Sequence, residues 1–186
     1  MKYQFCIYGH PVLRQPADPV ALIDKAIRIL ARDMLEIMGE KKGVGLAAQQ
    51  IGQTVQICTI GFDPKYDAAE PGGARLNPEV ELPLVMINPV ILSRTGAKTD
   101  TEGCLSVPEI WAPVHRAWEV SVKFLNLKGE LQTLQARGLL ARVIQHEQDH
   151  LNGVLFVDRV SAVKKISLSG KLKRMKKKTE AELGLG

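Results

Sequence analysis

The chain has 186 residues, 45% of them hydrophobic and 24% charged, with three cysteines and a formal net charge of +5. This balance describes a globular protein able to bury a core without staples; the odd, sparse cysteine count does not suggest a disulfide framework and points to a reducing compartment such as the cytoplasm. No run of about 18 apolar residues occurs, which excludes a membrane-spanning helix, and the start Met1-Lys2-Tyr3-Gln4-Phe5-Cys6 has no apolar stretch of signal-peptide length.

Val20, Ile23, Ile27, Leu30, Met34 and Ile37 recur at spacings of three and four and predict a helix over residues 20–38. Asp18 is its expected N-cap, with Pro19 in the first turn and Gly39 and Gly43 marking its end. Residues 55–60 predict a strand. Residues 63–83, rich in proline, glycine and charge, predict a long surface loop that either covers a cleft or is solvated. Residues 84–87 and 90–92 predict strand segments broken by Asn88-Pro89. Residues 120–125 and 130–135 flank Asn126-Leu127-Lys128-Gly129 and predict a hairpin. A second helix is expected over 138–151, closed by Asn152-Gly153. After Asp158-Arg159 a further helix is expected, with a weak point at Ser169-Gly170. There is no internal repeat, and strands do not alternate with helices. The expectation is a single α+β domain over 1–186 with a mostly antiparallel sheet and a basic helix or tail from about residue 161.

The strongest chemical signal is His146-Glu147-Gln148-Asp149-His150. Histidines at i and i+4 stand one turn apart on one helix face and can reach one ion, and Glu147 lies where it can take a proton from water on that ion. Leu139, Leu140, Val143, Ile144 and Leu151 make the helix apolar. Unpaired His and Glu would be costly in such a setting, and a metal accounts for them. A third protein ligand is needed. A metzincin would have histidine where this chain has Phe156, and Asp158 and Glu180 are poor thermolysin-type candidates. Cys104, in Glu102-Gly103-Cys104-Leu105-Ser106, is the better third ligand, although a lone cysteine is more often a small buried hydrophobe.

Three segments together resemble the peptide deformylase family: Gly43-Val44-Gly45-Leu46-Ala47-Ala48-Gln49-Gln50 is similar to its GxGLAAxQ motif, residues 102–106 to EGCLS, and residues 145–150 to QHExDH. The resemblance runs from about Gly9 to Arg159. It implies a hydrolase that removes the formyl group from the N-terminal formylmethionine of nascent polypeptides, in a fold whose sheets wrap a central helix bearing HExxH. It implies one divalent metal on Cys104, His146 and His150, with Fe²⁺ the first expectation and Zn²⁺, Ni²⁺ or Co²⁺ as substitutes. Glu147 is then the acid/base, and the Gln50 side chain and the Leu105 backbone N–H are the oxyanion donors. Val44, Gly45, Gly103, Leu139 and Val143 are expected to line the substrate site, with the stem of Arg142 along its rim and its charge in solvent. Many bacterial members carry an arginine seven residues after the metal cysteine; Trp111 stands there in this chain, which leaves peptide-backbone recognition at that edge open.

Lys164, Lys165, Lys171, Lys173, Arg174, Lys176, Lys177 and Lys178 concentrate positive charge near the end. A solvated helix face is the plain expectation; docking on ribosomal RNA, a habit of the family's C-terminal helix, is the functional one. Ile166, Leu168, Leu172 and Met175 are expected to anchor this segment. A monomer is expected. The rival functions are an HExxH metalloprotease cutting internal peptide bonds and a non-enzymatic metal- or RNA-binding module.

Overall fold

All pairings between strands run antiparallel, and helices and strands are segregated along the chain, so the class is α+β. The computed structural model describes residues 3–185; Met1 and Lys2, where the N-terminal reading begins, and Gly186, the end of the tail, lie outside them. Five strands form one sheet in the order β1 (Gly45–Ala47), β2 (Ile57–Ile60), β3 (Leu84–Thr95), β6 (Glu119–Leu125) and β7 (Leu131–Arg137). A separate two-stranded ribbon pairs β4 (Lys98–Cys104) with β5 (Val107–Arg116). The helices are α1 (Lys25–Glu40), α2 (Gly138–Leu151) and α3 (Ala162–Glu182). No helix among the described residues is long and apolar enough to cross a membrane.

The first helix starts later than expected. Asp24, not Asp18, is the N-cap, its carboxylate accepting from Ile27 N–H at 2.9 Å. The reason is tertiary. Asp18 bridges Val55 in strand fashion, and both backbone groups of Val20 are taken by the Asn88 side chain at 2.8 and 2.9 Å. A backbone committed to those partners cannot also open a helix. Asn88 reaches Val20 from a left-handed backbone, φ 52°, inside a register shift between Ile87 and Val90. The two expected strand segments are therefore one bent strand, β3, with a bulge at the expected break.

The 63–83 segment neither covers the large cavity described below nor lies free in solvent. Buried Asp67 accepts from Arg75 Nε at 3.1 Å and from Asn77, and Asn77 exchanges hydrogen bonds with both backbone groups of Arg137 (2.8 and 3.1 Å). Val80 enters the main core. The segment is thereby pinned to the junction of β7 and α2.

Helix α2 packs Leu140, Ala141, Val143, Ile144 and Leu151 against the five-stranded sheet. The ribbon has its own core, where Val107, Ile110, Ala112 and Val114 meet Leu13, Phe156, Leu168 and Leu172. Helix α3 runs without interruption through Ser169-Gly170, because Leu168 and Leu172 are buried on either side of an exposed Gly170, whose intrinsic penalty is only about 1 kcal/mol. Ile166 does not anchor it; that side chain is 75% exposed.

Arg14 pairs with Asp158 and ties the N-terminal segment to the turn after α2. Burial would raise the Asp158 carboxyl, but Arg14 and the Leu155 N–H outweigh it and hold the group below 3.8. A depressed folded-state value stabilises the fold above the unfolded value, and that contribution is lost as pH falls through the folded one. Asp158→Asn is therefore expected to lower unfolding free energy near neutrality, with the difference from the parent shrinking below about pH 4. Urea titrations at neutral and acid pH check this; a difference that is constant with pH would contradict it.

Candidate metal centre and its cavity

The helical repeat of α2 sets His146 and His150 one turn apart, and the end of β4 delivers the third donor. Across the ribbon Gly103 faces Trp111, but Cys104 faces Val107, so Pro108 to Ile110 bulge out of β5 and Cys104 sits where the pairing breaks. The Cys104 Sγ lies 3.2 Å from His150 Nε2, and the donor atoms of Cys104, His146 and His150 all fall within 4.8 Å of one another. His146 Nδ1 is 3.0 Å from Glu102 Oε2, which leaves its Nε2 free to face the cluster. Burial keeps His150 well below the usual histidine range, in the neutral form that ligates. One thiolate and two imidazoles suit a first-row divalent ion, and three protein donors leave a position open for chemistry.

A buried ion-pair network stands behind these donors. Arg116 donates to both oxygens of Glu102 (2.9 and 3.0 Å) and to Asp149 at 2.5 Å. Arg159 takes the other oxygen of Asp149 at 2.7 Å. Burial would raise Glu102, but His146 and Arg116 hold it well below the carboxylate range, so it stays an acceptor for the imidazole. Arg142 also belongs to this network: it donates to Glu102 Oε1 at 2.6 Å and to the carbonyls of Val114 and Lys98. The expectation that its charge reaches solvent is thus corrected; its side chain is 11% exposed. The nearby carboxylate and two backbone carbonyls outcompete water for the guanidinium.

Glu147 is buried, its Oε2 has no hydrogen-bond partner, and loss of hydration pushes its carboxyl up to about 7. A Cβ on Gly45 would collide with its carboxylate and with Val143. The first glycine motif therefore makes room for Glu147 itself. Gln50 is held with its Oε1 accepting from Ala47 N–H at 2.8 Å, so its Nε2 points toward Ser106 Oγ (3.1 Å) and Cys104 Sγ (3.6 Å). Gln49, adjacent in the motif, bonds the His150 carbonyl at 2.7 Å and fixes the end of α2.

A cavity of about 460 Å³ opens on this cluster. All the expected site residues line it except His150, which is buried behind it: Cys104, His146, Glu147, Gln50 and Leu105 at one end, and Val44, Gly45, Gly103, Leu139 and Val143 around the walls. Val44 is 45% exposed and stands at the rim.

Residues 2–166 match the family model described as polypeptide deformylase. The chain belongs to that family. It is 43% identical to the peptide deformylase of Nitrosococcus oceani over 93% of this chain and 91% of that protein. It is 45% identical to that of Synechococcus sp. strain RCC307 over 90% of this chain and 77% of that protein. Among solved structures, the Thermus thermophilus peptide deformylase superposes with a TM-score of 0.80 at 38% identity, covering 95% and 99% of the two chains. The Synechococcus elongatus peptide deformylase, in complex with actinonin, gives 0.79 at 40% identity, covering 93% and 85%. The metalloprotease reading is not favoured by these relationships.

Membership in the deformylase family leaves several residues of this centre that sequence reasoning did not assign: Glu102, Ser106, Arg116, Asp149 and Arg159. Glu102, Ser106 and Asp149 stand inside the quoted motifs, but Glu102, which orients His146, lies 44 residues from it, and Asp149, next to His150 in sequence, serves Arg116 and Arg159 instead. Arg116 had none, because its partners lie 14 and 33 residues away in the chain.

Proposed function

We propose that this chain is an enzyme, a metal-dependent peptide deformylase that hydrolyses the formyl group from the N-terminal formylmethionine of nascent polypeptides and releases formate. The observation that carries this is the convergence of Cys104, His146, His150 and buried Glu147 at the end of one mainly apolar cavity. Cys104, His146 and His150 would hold one divalent ion, Fe²⁺ first, with Zn²⁺, Ni²⁺ or Co²⁺ as substitutes. When bound, that ion supplies Lewis acidity and makes water nucleophilic near neutral pH.

Glu147 takes the proton from the attacking water and hands it to the departing methionine nitrogen as the C–N bond breaks. The Gln50 amide, already turned toward Cys104, and the Leu105 N–H donate to the developing oxyanion. Val143, Leu139 and Val44 hold the methionine side chain, and Gly45 and Gly103, without side chains, leave their backbone open to the substrate. Glu102 fixes the His146 ring. The organisation proposed is one domain over 1–186 with α2 as its central helix: one face packs on the large sheet and Asp149 reaches Arg116 of the ribbon.

A monomer in the cytoplasm, docking on ribosomal RNA through α3, completes the proposal. Lys171, Lys173, Arg174, Lys176, Lys177 and Lys178 are exposed on a helix anchored by Leu172 and Thr179. Deleting residues 170–186 would also strip those anchors, so charge substitution is the cleaner probe. Replacing Lys171, Lys173, Arg174 and Lys177 by glutamine is expected to reduce salt-sensitive co-sedimentation with ribosomes and leave formate release from small peptides unchanged. Undiminished co-sedimentation would contradict the docking role. The deformylase assignment itself is tested by formate release from formylated peptides.

A further inference from the structure

Two residues at the cavity mouth are left unused by the chemistry above. Glu109 and Trp111 both line the cavity. They lie two positions apart on β5, both exposed, Trp111 in the paired part of the ribbon and Glu109 in the bulge beside it. Trp111 is 66% exposed, yet one side of its indole is fixed: Gly103 is its cross-strand partner, and a Cβ there would come within 2.6 Å of the ring. Glycine lets the ring lie against the β4 backbone next to Cys104, and the rest of the indole stays open.

Glu109 holds a left-handed backbone, φ 60°, which is uncommon for a non-glycine residue and disfavoured by a Cβ. Among the described residues its carboxylate has no hydrogen bond or ion pair. Of the cationic residues that also line the cavity, Arg142 is engaged by Glu102, and Lys42 belongs to the segment after α1.

We propose that Glu109 and Trp111 are specificity-determining residues that hold a cationic side chain, a guanidinium above all, on one of the two residues following the formylmethionine. The inference rests on the deformylase reading. An open indole face attracts a planar cation, and a carboxylate lining the same cavity can pair with its N–H groups, a combination that suits arginine better than any neutral side chain. The reach is right: Trp111 faces Gly103, the residue before Cys104, across a strand spacing of about 4.8 Å, and each extended residue of substrate advances about 3.4 Å.

The test compares kcat/KM, with metal-loaded protein, for formyl-Met-Ala-Arg, formyl-Met-Arg-Ala and their citrulline counterparts, which keep the planar shape and lose the charge. The parent is expected to prefer arginine over citrulline about three- to ten-fold at one of the two positions, less at high salt. In Glu109→Gln that ratio falls toward one, and Trp111→Leu lowers it as well. Equal rates for arginine and citrulline in the parent, or a ratio unmoved in both variants, would overturn the inference. If formyl-Met-Ala-Ser is turned over but arginine brings no preference, only this inference fails; if no formylated peptide is turned over, the deformylase reading fails with it.

Discussion

Replacing Arg116 by leucine is expected to destabilise the fold by about 3–5 kcal/mol, the usual result of removing one partner from a buried ion pair. Arg116, Glu102 and Asp149 have side chains only 5%, 5% and 9% exposed, so water cannot take over the lost interactions. Arg142 still reaches Glu102 and Arg159 still reaches Asp149, which favours the lower end of that range. The loss also reaches the metal centre, because Glu102 is what holds the His146 ring. Urea unfolding followed by circular dichroism, with metal content measured on the same samples, checks both effects. A single-variant loss under about 1 kcal/mol would show that the network carries no such strain.

Glu147→Gln is expected to lower kcat by about 10²–10⁴ while leaving fold and metal content intact. The replacement keeps the shape of the side chain in a place where a larger one would not fit, beside Gly45 and Val143. It also removes a carboxyl whose charged form burial disfavours, so stability should hold or rise. Steady-state formate release, set against metal stoichiometry and a thermal melt, separates a chemical defect from a folding one. Activity within tenfold of the parent would remove Glu147 from the proton-transfer role.

The site was more legible in the chain than the fold was. Residues 146–150 declare themselves because ligand geometry on a helix is a local property: i and i+4 meet whatever the rest of the chain does. The expected bounds of α2 match for the same reason, with apolar periodicity bounded by Gly138 and Asn152-Gly153. Cys104 emerged only by setting it against Phe156, Asp158 and Glu180 as the third donor, and the resemblance strengthened it, since nothing local distinguishes a ligating cysteine from a buried one.

The ribbon went unseen. β4 is Lys-Thr-Asp-Thr-Glu-Gly-Cys, with one buried residue, and β5 carries Pro108 and Pro113, which argue against a strand except at an edge. Both strands of a two-stranded ribbon are edges, and the alternating burial of Ile110, Ala112, Val114 and Arg116 was the signal the prolines obscured. The misplaced start of α1 shows the other limit. Asp18 and Asp24 are both competent caps by residue type, and only the distant Asn88 decides between them. Arg142 likewise reads as a snorkelling surface residue until Glu102, 40 positions away, is brought beside it.

This cavity is expected to hydrolyse formylated N-termini. The direct measurement is formate release from formyl-Met-Ala-Ser by protein loaded anaerobically with Fe²⁺, alongside its Glu147→Ala variant. Release by the parent and loss of it in the variant is the predicted result. No release by a parent with metal bound at full occupancy would contradict the account, and cleavage of an unformylated peptide in its place would return the site to protease chemistry.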